Sequence, residues 1–411
     1  MSNNVPRPVF LLAFATTAVL WGGACSRCAA ITDELATTLR AEAARVGAGD
    51  LPDASGVPHA VYRFGPDLLD ALALAIDPDR VVVGGIYRRA INQAEPDGLL
   101  VDGAAVVLSL QLALDSVAFE PDETTPLVRF RLVDRASRVA LNVGSATEEW
   151  AAGGASIEVV APLVFAAEDD DALIAADLSE ATYDASGFTD GLPDEIAAVV
   201  DRLVRDALAE TRSASEASVE LIRLPPIAVA AARLPQRISE MRVVNAGLEL
   251  TTVTPLRPVG EIDLQMPRGS GAVAHPDLAR AAVEYALAVQ TGLRRVSVDS
   301  RPAVLTLDLL LPVVGGLEGR GTLWCVEGES CRTTEFDVAC TVTLDEGVAR
   351  ATCGADGGEL STRAPVAFET VIEDLVESLD ASMAGESPII PVALGIDATG
   401  FRVGWIPSAP P

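Results

Sequence analysis

One order of elements runs through this sequence twice, and that duplication restricts the available folds more tightly than composition does. In residues 192–252 an amphipathic helix leads into Pro-interrupted strands and a closing hairpin. Ile196, Val199, Val200, Leu203, Val204 and Ala207 recur at i, i+3, i+4 and i+7, with Asp201, Arg202, Arg205 and Asp206 on the other face. Pro193 occupies a helix-start position with Asp194 and Glu195 beside it. Strand-like Val219–Ala232, broken by Pro225-Pro226, and Glu240–Thr252 follow. The order returns at the C-terminal end. A helix over Pro365–Met383 carries Phe368, Val371, Ile372, Leu375, Val376, Leu379 and Met383, and strand residues Pro388–Val392 and Ala398–Val403 follow it.

The two halves also begin alike. Val61–Leu68 and Ala272–Leu278 each run a short strand straight into a Pro-Asp-Leu helix start. Leu68, Leu69, Leu72 and Ile76 form the first helix's apolar face; Leu278, Tyr285 and Val289 belong to the second, which is Ala-rich. Between these helices and the closing ones lie long period-two runs. Leu108, Leu110, Leu112 and Leu114 alternate with Ser109, Gln111, Ala113 and Asp115, and Val128, Phe130 and Leu132 alternate with arginines. Ile157–Phe165 and Ala172–Tyr183 read as further strands, and in the second half Leu305, Leu307, Leu309 and Leu311 share one face against Thr306 and Asp308. Such alternation marks half-buried antiparallel strands. The expected class is α+β: two elongated domains, each a long curved antiparallel sheet wrapped around amphipathic helices.

The boundaries follow from punctuation. Arg7, the apolar run Val9–Trp21 and Gly22-Gly23-Ala24-Cys25 read as an export signal over residues 1–24, the run being shorter than the about 20 apolar residues a membrane span needs. Cys25 after small residues resembles a bacterial lipoprotein processing site, with plain secretion after cleavage near Ala29-Ala30 as the alternative. Residues 25–58 then form a tether, 59–253 the first domain, the Pro- and Gly-rich 254–271 a linker, and 272–411 the second domain. A membrane-anchored protein of the cell envelope is the expected localisation.

Four cysteines, Cys325, Cys331, Cys340 and Cys353, fall in the second half. If Glu346-Gly347 is a two-residue hairpin loop, outward counting sets Cys340 opposite Cys353 at a non-hydrogen-bonded position, where Cα atoms approach to about 4.5 Å. Cys325 and Cys331 flank a loop at Gly328. Disulfides Cys325–Cys331 and Cys340–Cys353 are therefore expected. A zinc site fits less well, because neither pair has C-x₂₋₄-C spacing and the only histidines are His59 and His275.

Charge narrows the partners. The formal net charge is −29 and every strong base is arginine. An acidic surface of this kind opposes binding to nucleic acid or to anionic membrane faces. Catalytic motifs are missing: there is no G-x-S-x-G, P-loop or dinucleotide fingerprint, and Gly315–Gly321 has the wrong spacing for one. His59 falls at the end of the tether and His275 at a strand–helix junction, both read as surface or cap positions. No enzymatic activity and no cofactor or metal are expected.

The plan resembles the tubular lipid-binding (TULIP) superfamily, which includes bactericidal permeability-increasing protein. Ala60–Asp70 looks like that family's first strand and helix start, Ala272–Gly292 like the start of its second barrel, and Leu221–Leu250 and Pro388–Val403 like its closing strands. The resemblance implies tandem barrels with apolar cavities for acyl chains, and hence a lipid or other hydrophobic ligand bound or shuttled by an envelope lipoprotein. The cavity candidates are Leu68, Leu72, Ile76, Ile196, Val199, Val200, Leu203, Val204, Phe368, Val371, Ile372, Leu375 and Leu379. The alternative is a structural or adaptor lipoprotein with filled cores that binds another envelope protein. The acidic charge departs from the basic bactericidal members.

Overall fold

A computed structural model describes residues 27–51, 57–74, 76, 82–91, 104–121, 126–151, 156–168, 170–184, 189–213, 218–229, 231–256, 258, 264, 269–289, 295–298, 301–327, 330–356, 363–379 and 389–407. The fold is α+β, dominated by antiparallel sheet. Helices are α1 (Arg27–Gly47), α2 (Pro66–Leu74), α3 (Asp194–Ser213), α4 (Leu278–Val289) and α5 (Arg363–Glu377).

The first long sheet holds β2 (Val82–Ile91), β3 (Ala104–Pro121), β4 (Pro126–Asp134), β5 (Arg138–Val143), β6 (Ala146–Ala151), β7 (Ser156–Glu168), β8 (Asp171–Asp177), β9 (Thr182–Asp184) and β10 (Ser218–Leu224). β3 is its spine. β2 pairs one edge of it, and β4 and β5 pair successive parts of the other. Alternation works here as expected: Leu108, Leu110, Leu112, Leu114, Val128, Phe130 and Leu132 are all buried. The run Ala172–Tyr183 is not one strand. Asp177 accepts the Ser179 N–H at 2.8 Å and starts a 3-10 turn, Leu178–Glu180, between β8 and β9.

The second sheet has the order β16 (Arg295–Val298), β17 (Arg301–Val313), β18 (Gly316–Glu327), β19 (Ser330–Asp345) and β20 (Val348–Asp356). The expected face of Leu305, Leu307, Leu309 and Leu311 is corrected. A bulge between Leu307 and Leu309 takes up an extra residue at Asp308, and alternation inverts beyond it. Leu305 and Leu310 are buried, whereas Leu309 and Leu311 are exposed. Glu346 and Gly347 both have positive φ, as a type I′ hairpin loop requires, and Asp345 pairs with Val348 as the outward count assumed.

The closing strands of both halves meet in one sheet. β13 (Arg237–Val244), β14 (Gly247–Val253) and β1 (Ala60–Phe64) continue through β15 (Gly271–Ala274) into β22 (Gly400–Pro407) and β21 (Ile389–Asp397). The order is palindromic: the two entry strands, β1 and β15, pair at the centre, and each half's closing hairpin flanks its own entry strand. Asn245 and Ala246 form a second positive-φ loop joining β13 to β14. A small hairpin of β11 (Ile227–Val229) and β12 (Ala232–Leu234) stands apart.

Both faces of the central strands are covered. Tyr62 and Phe64 face the main core, and Trp405 from β22 reaches both, with ring centroids 6.0 Å and 5.6 Å away. The Tyr62 hydroxyl donates to Gln236 Oε1, and the Gln236 amide donates to the Pro225 carbonyl, so the buried amide is satisfied. On the other face Val61 and Val273 pack with Leu264. The linker 254–271 therefore contributes to packing, and Leu256 is buried in the main core as well.

Candidate functional site

The expected tether is helical, but its described end is docked. α1 packs against α4, Val46 is buried in the core, and the Arg45 guanidinium donates to the Pro255 carbonyl at 3.0 Å. Two expectations about the histidines are corrected. His59 lies outside any tether: its N–H donates to Thr252 O, its carbonyl accepts from His275 N–H, and its Nδ1 accepts the Thr254 N–H at 2.9 Å. It thus extends the central pairing of β1 with β15 and is buried. His275 is also buried rather than superficial, although its Nδ1 accepts the Asp277 N–H at the entry to α4, which is a cap's role. Among the described residues no group of three or more His, Cys, Asp or Glu could hold a metal ion.

All thirteen cavity candidates are buried in one continuous apolar cluster. α2 lays Leu68 and Leu72 against β3, with Ile76 just beyond its end; α3 lays Ile196, Val199, Val200, Leu203 and Val204 against β2 and β3. α5 brings Phe368, Val371, Ile372 and Leu375 towards α4 and β20, with Leu379 in the turn after it. Met383 and the rest of the expected long helix lie outside the described residues. Val289, expected on the apolar face of α4, is exposed at its C-terminal end.

Two of the candidates line a narrow seam. Phe368 and Ile372 of α5, with Val283 of α4, face Leu307 and Leu310 of β17 and Cys340 of β19 across it. Every lining group is apolar or part of a disulfide. The seam is too narrow to admit a water-sized sphere. Its outer side is β17, whose residues 305–313 lie beyond the pairing with β16, which ends at Val304.

α5 is fastened to the sheet by a device that the sequence pattern concealed. β20 is the edge strand, and its outward N–H groups at Ala351 and Cys353 donate to Glu373 Oε1 at 2.9 Å and Glu369 Oε1 at 2.8 Å. Two strand residues span about 6.8 Å and one helical turn about 5.4 Å, so an i, i+4 pair of glutamates can follow an i, i+2 pair of edge amides. The exposed edge is thereby covered, and two part-buried donors are satisfied by side-chain carboxyl oxygens. On the opposite side of β20 the expected Cys340–Cys353 disulfide is present, with Cα atoms 4.0 Å apart. The side chains of Cys325 and Cys331 lie outside the described residues; the backbone register sets Cys325 opposite Arg332 and Cys331 opposite Val326. Cys25 also lies outside the described residues.

Electrostatics at the helices follow burial. Burial raises the Asp374 carboxyl above its ordinary range, and neighbouring Glu373 adds to the effect. At the docked α1, burial raises Glu284 of α4; Arg280 opposes the shift, while Asp277 and Glu42 of α1 reinforce it.

A separate groove of about 270 Å³ opens where the β19–β20 loop, the end of α5 and β21 meet. Its lining includes Leu344, Val348, Ala349, Val376 and Pro391, with Glu377 as the one ionisable lining residue among those described. No sequence signal pointed to it, because its walls come from separate segments: the β19–β20 hairpin, the end of α5, β21 and Val403 of β22.

No protein-family model matches this sequence, and no curated protein matches it either. Among solved structures the chain is similar to a lipopolysaccharide binding protein, at 10% identity and a TM-score of 0.33, over 85% of this chain and 98% of that one. It is also similar to P47 from Clostridium botulinum A2, at 10% identity and a TM-score of 0.37, over 87% and 99% of the two chains. P47 of Clostridium botulinum E1 aligns at 10% identity and a TM-score of 0.35, over 85% and 99%.

Proposed function

We propose that this protein is a non-enzymatic, exported TULIP-like carrier that holds a lipid or another hydrophobic ligand between its helices and its sheet. In this reading Cys25 anchors it to a membrane of the cell envelope. The observation that carries the reading is the seam under α4 and α5: the described residues that line it are apolar side chains and the disulfide-bonded Cys340, and it runs along β17 beyond the reach of β16. A ligand chain enters by parting α4 and α5 from β17, replacing side chain–side chain contacts with side chain–acyl contacts. Burying each methylene there is worth about 0.8 kcal/mol, so a long chain can offset the opening.

The test is uptake from phospholipid vesicles. The purified chain is incubated with them, separated by gel filtration, and its bound lipid is quantified. Leu307→Trp, at a partly buried position on the sheet wall, should fill the seam and reduce uptake severalfold; unchanged uptake in a folded variant would refute the seam.

One observation favours the second reading, an adaptor that binds another envelope protein. The seam as it stands admits no water-sized sphere, which is the condition of a filled core. That reading expects no lipid uptake and a specific crosslinked partner.

A further inference from the structure

α1 is thinly seated for a helix of its length. Among its described side chains only Val46 is buried; Leu39, Ala43 and Arg45 are part-buried, and the others are exposed. Its last residue, Gly47, sits against Tyr285 of α4, whose hydroxyl would lie 3.7 Å from a Cβ placed there. Yet α1 touches α4, β18 and β19 together. α4 carries Val283 into the seam, and β18 and β19 belong to the sheet whose strand β17 forms the facing wall. A helix joined to both walls resists their separation. Parting α4 from β17 therefore requires α1 to give way.

The joint between α1 and α4 is short of positive charge. The Arg45 guanidinium is taken up by Glu42 of its own helix and by the Pro255 carbonyl. Arg280 is shared between Asp277, 3.6 Å away, and Glu284, 3.3 Å away. The charged groups that act on Glu284 are Arg280 and Asp277 of its own helix and Glu42 of α1; α5, β11 and β17, which also pack on α4, contribute none among the described residues. Burial and Glu42 both disfavour the ionised form of Glu284 while α1 is seated. A carboxyl raised in this way supports the seated state at low pH, and that support is lost as pH rises through the folded value.

We propose that α1 is a pH-sensitive latch on the seam, seated on α4 in acid, loosened towards neutrality by Glu284 against Glu42, and limiting lipid entry between α4 and β17. The latch rests on the carrier reading and adds a regulator to the same site.

The test pairs two readouts on the full chain at about pH 5, where only a raised glutamate stays protonated, and at about pH 7.5. Hydrogen exchange, corrected for its intrinsic pH dependence, reports the seating of α1. Uptake from phosphatidylcholine vesicles, whose charge does not change over this range, reports the seam. In the native chain α1 should lose protection about threefold or more on going to the higher pH, and uptake should quicken severalfold. Glu284→Gln should keep α1 protected and uptake slow at both values. Val46→Ala, which removes the one buried anchor described, should leave α1 unprotected and uptake fast at both. α1 protection indifferent to pH and to Glu284→Gln overturns the latch, as does uptake that occurs equally in all three proteins. A pH response that survives in Glu284→Gln assigns it to another carboxyl, such as the buried Asp374 of α5, and also overturns the latch. No uptake in any of the three, with α1 protection responding as described, refutes the carrier reading instead.

Discussion

Removing Trp405 should weaken both halves of the molecule together. The indole is only 4% exposed and belongs to β22, yet its ring contacts are to Tyr62 and Phe64 of β1, two strands away across β15. The register explains the reach: β15 presents Gly271 and Ala272 opposite Arg63 and Tyr62, so nothing bulky stands between. Trp405→Ala deletes the largest side chain at this junction and leaves a cavity between segments from opposite ends of the chain. Aromatic-to-Ala changes in cores cost about 3–5 kcal/mol, of which the two ring contacts supply about 0.5–1.5 kcal/mol each. We expect about 4 kcal/mol, a large fraction of a typical stability of about 5–15 kcal/mol. The assay is urea denaturation by far-ultraviolet circular dichroism, with hydrogen exchange read on peptides from β3–β7 and from β18–β20. Both peptide sets should lose protection at the same, lower urea concentration. Phe165→Ala, at a half-exposed position on β7, serves as control and should stay within about 0.5 kcal/mol of the native chain. Two separate transitions with only one displaced, or protection lost in one peptide set alone, would refute the shared sheet as a mechanical unit.

Further outcomes follow from the same contacts. Cys340→Ser with Cys353→Ser should cost about 3 kcal/mol in denaturation, the value for closing a loop of this size, and a non-reducing peptide map of the native chain should recover the pair. Glu373→Ala strands the Ala351 N–H and should cost about 1.5–3 kcal/mol, with Glu373→Gln milder because an acceptor remains; faster exchange at Ala351 reports the same loss. Glu284 has a folded pKa raised by burial, so its contribution is most favourable below the ordinary glutamate range and is lost as pH rises through the folded value. Glu284→Gln should therefore be the more stable protein at neutral pH, with the advantage vanishing on acidification. The effect will be modest, since the side chain is 38% exposed and solvent screens it.

Local features were legible in the sequence where one segment sufficed to specify them. The period of α3 named its buried face correctly, and the two-residue loop at Glu346-Gly347 fixed the register that pairs Cys340 with Cys353. Features that depend on remote segments were not. β1 and β15 are buried on both faces, so they carry no alternation that could announce their mutual pairing, and His59 was misplaced as a result. Glu369 and Glu373 look like the solvated face of an amphipathic helix; only the tertiary position of the β20 edge turns them into acceptors. The bulge at Asp308 leaves the Leu-x-Leu rhythm intact in the sequence while reversing the faces beyond it.

The most direct measurement on the carrier reading is organic extraction and mass spectrometry of the chain purified without detergent, before and after incubation with envelope lipids. The account predicts about one equivalent of an acyl-chain lipid, lost on extraction, regained on incubation and reduced in Leu307→Trp. A chain that is clean at purification and still empty after incubation would contradict it and leave α4, α5 and the sheet as a filled core.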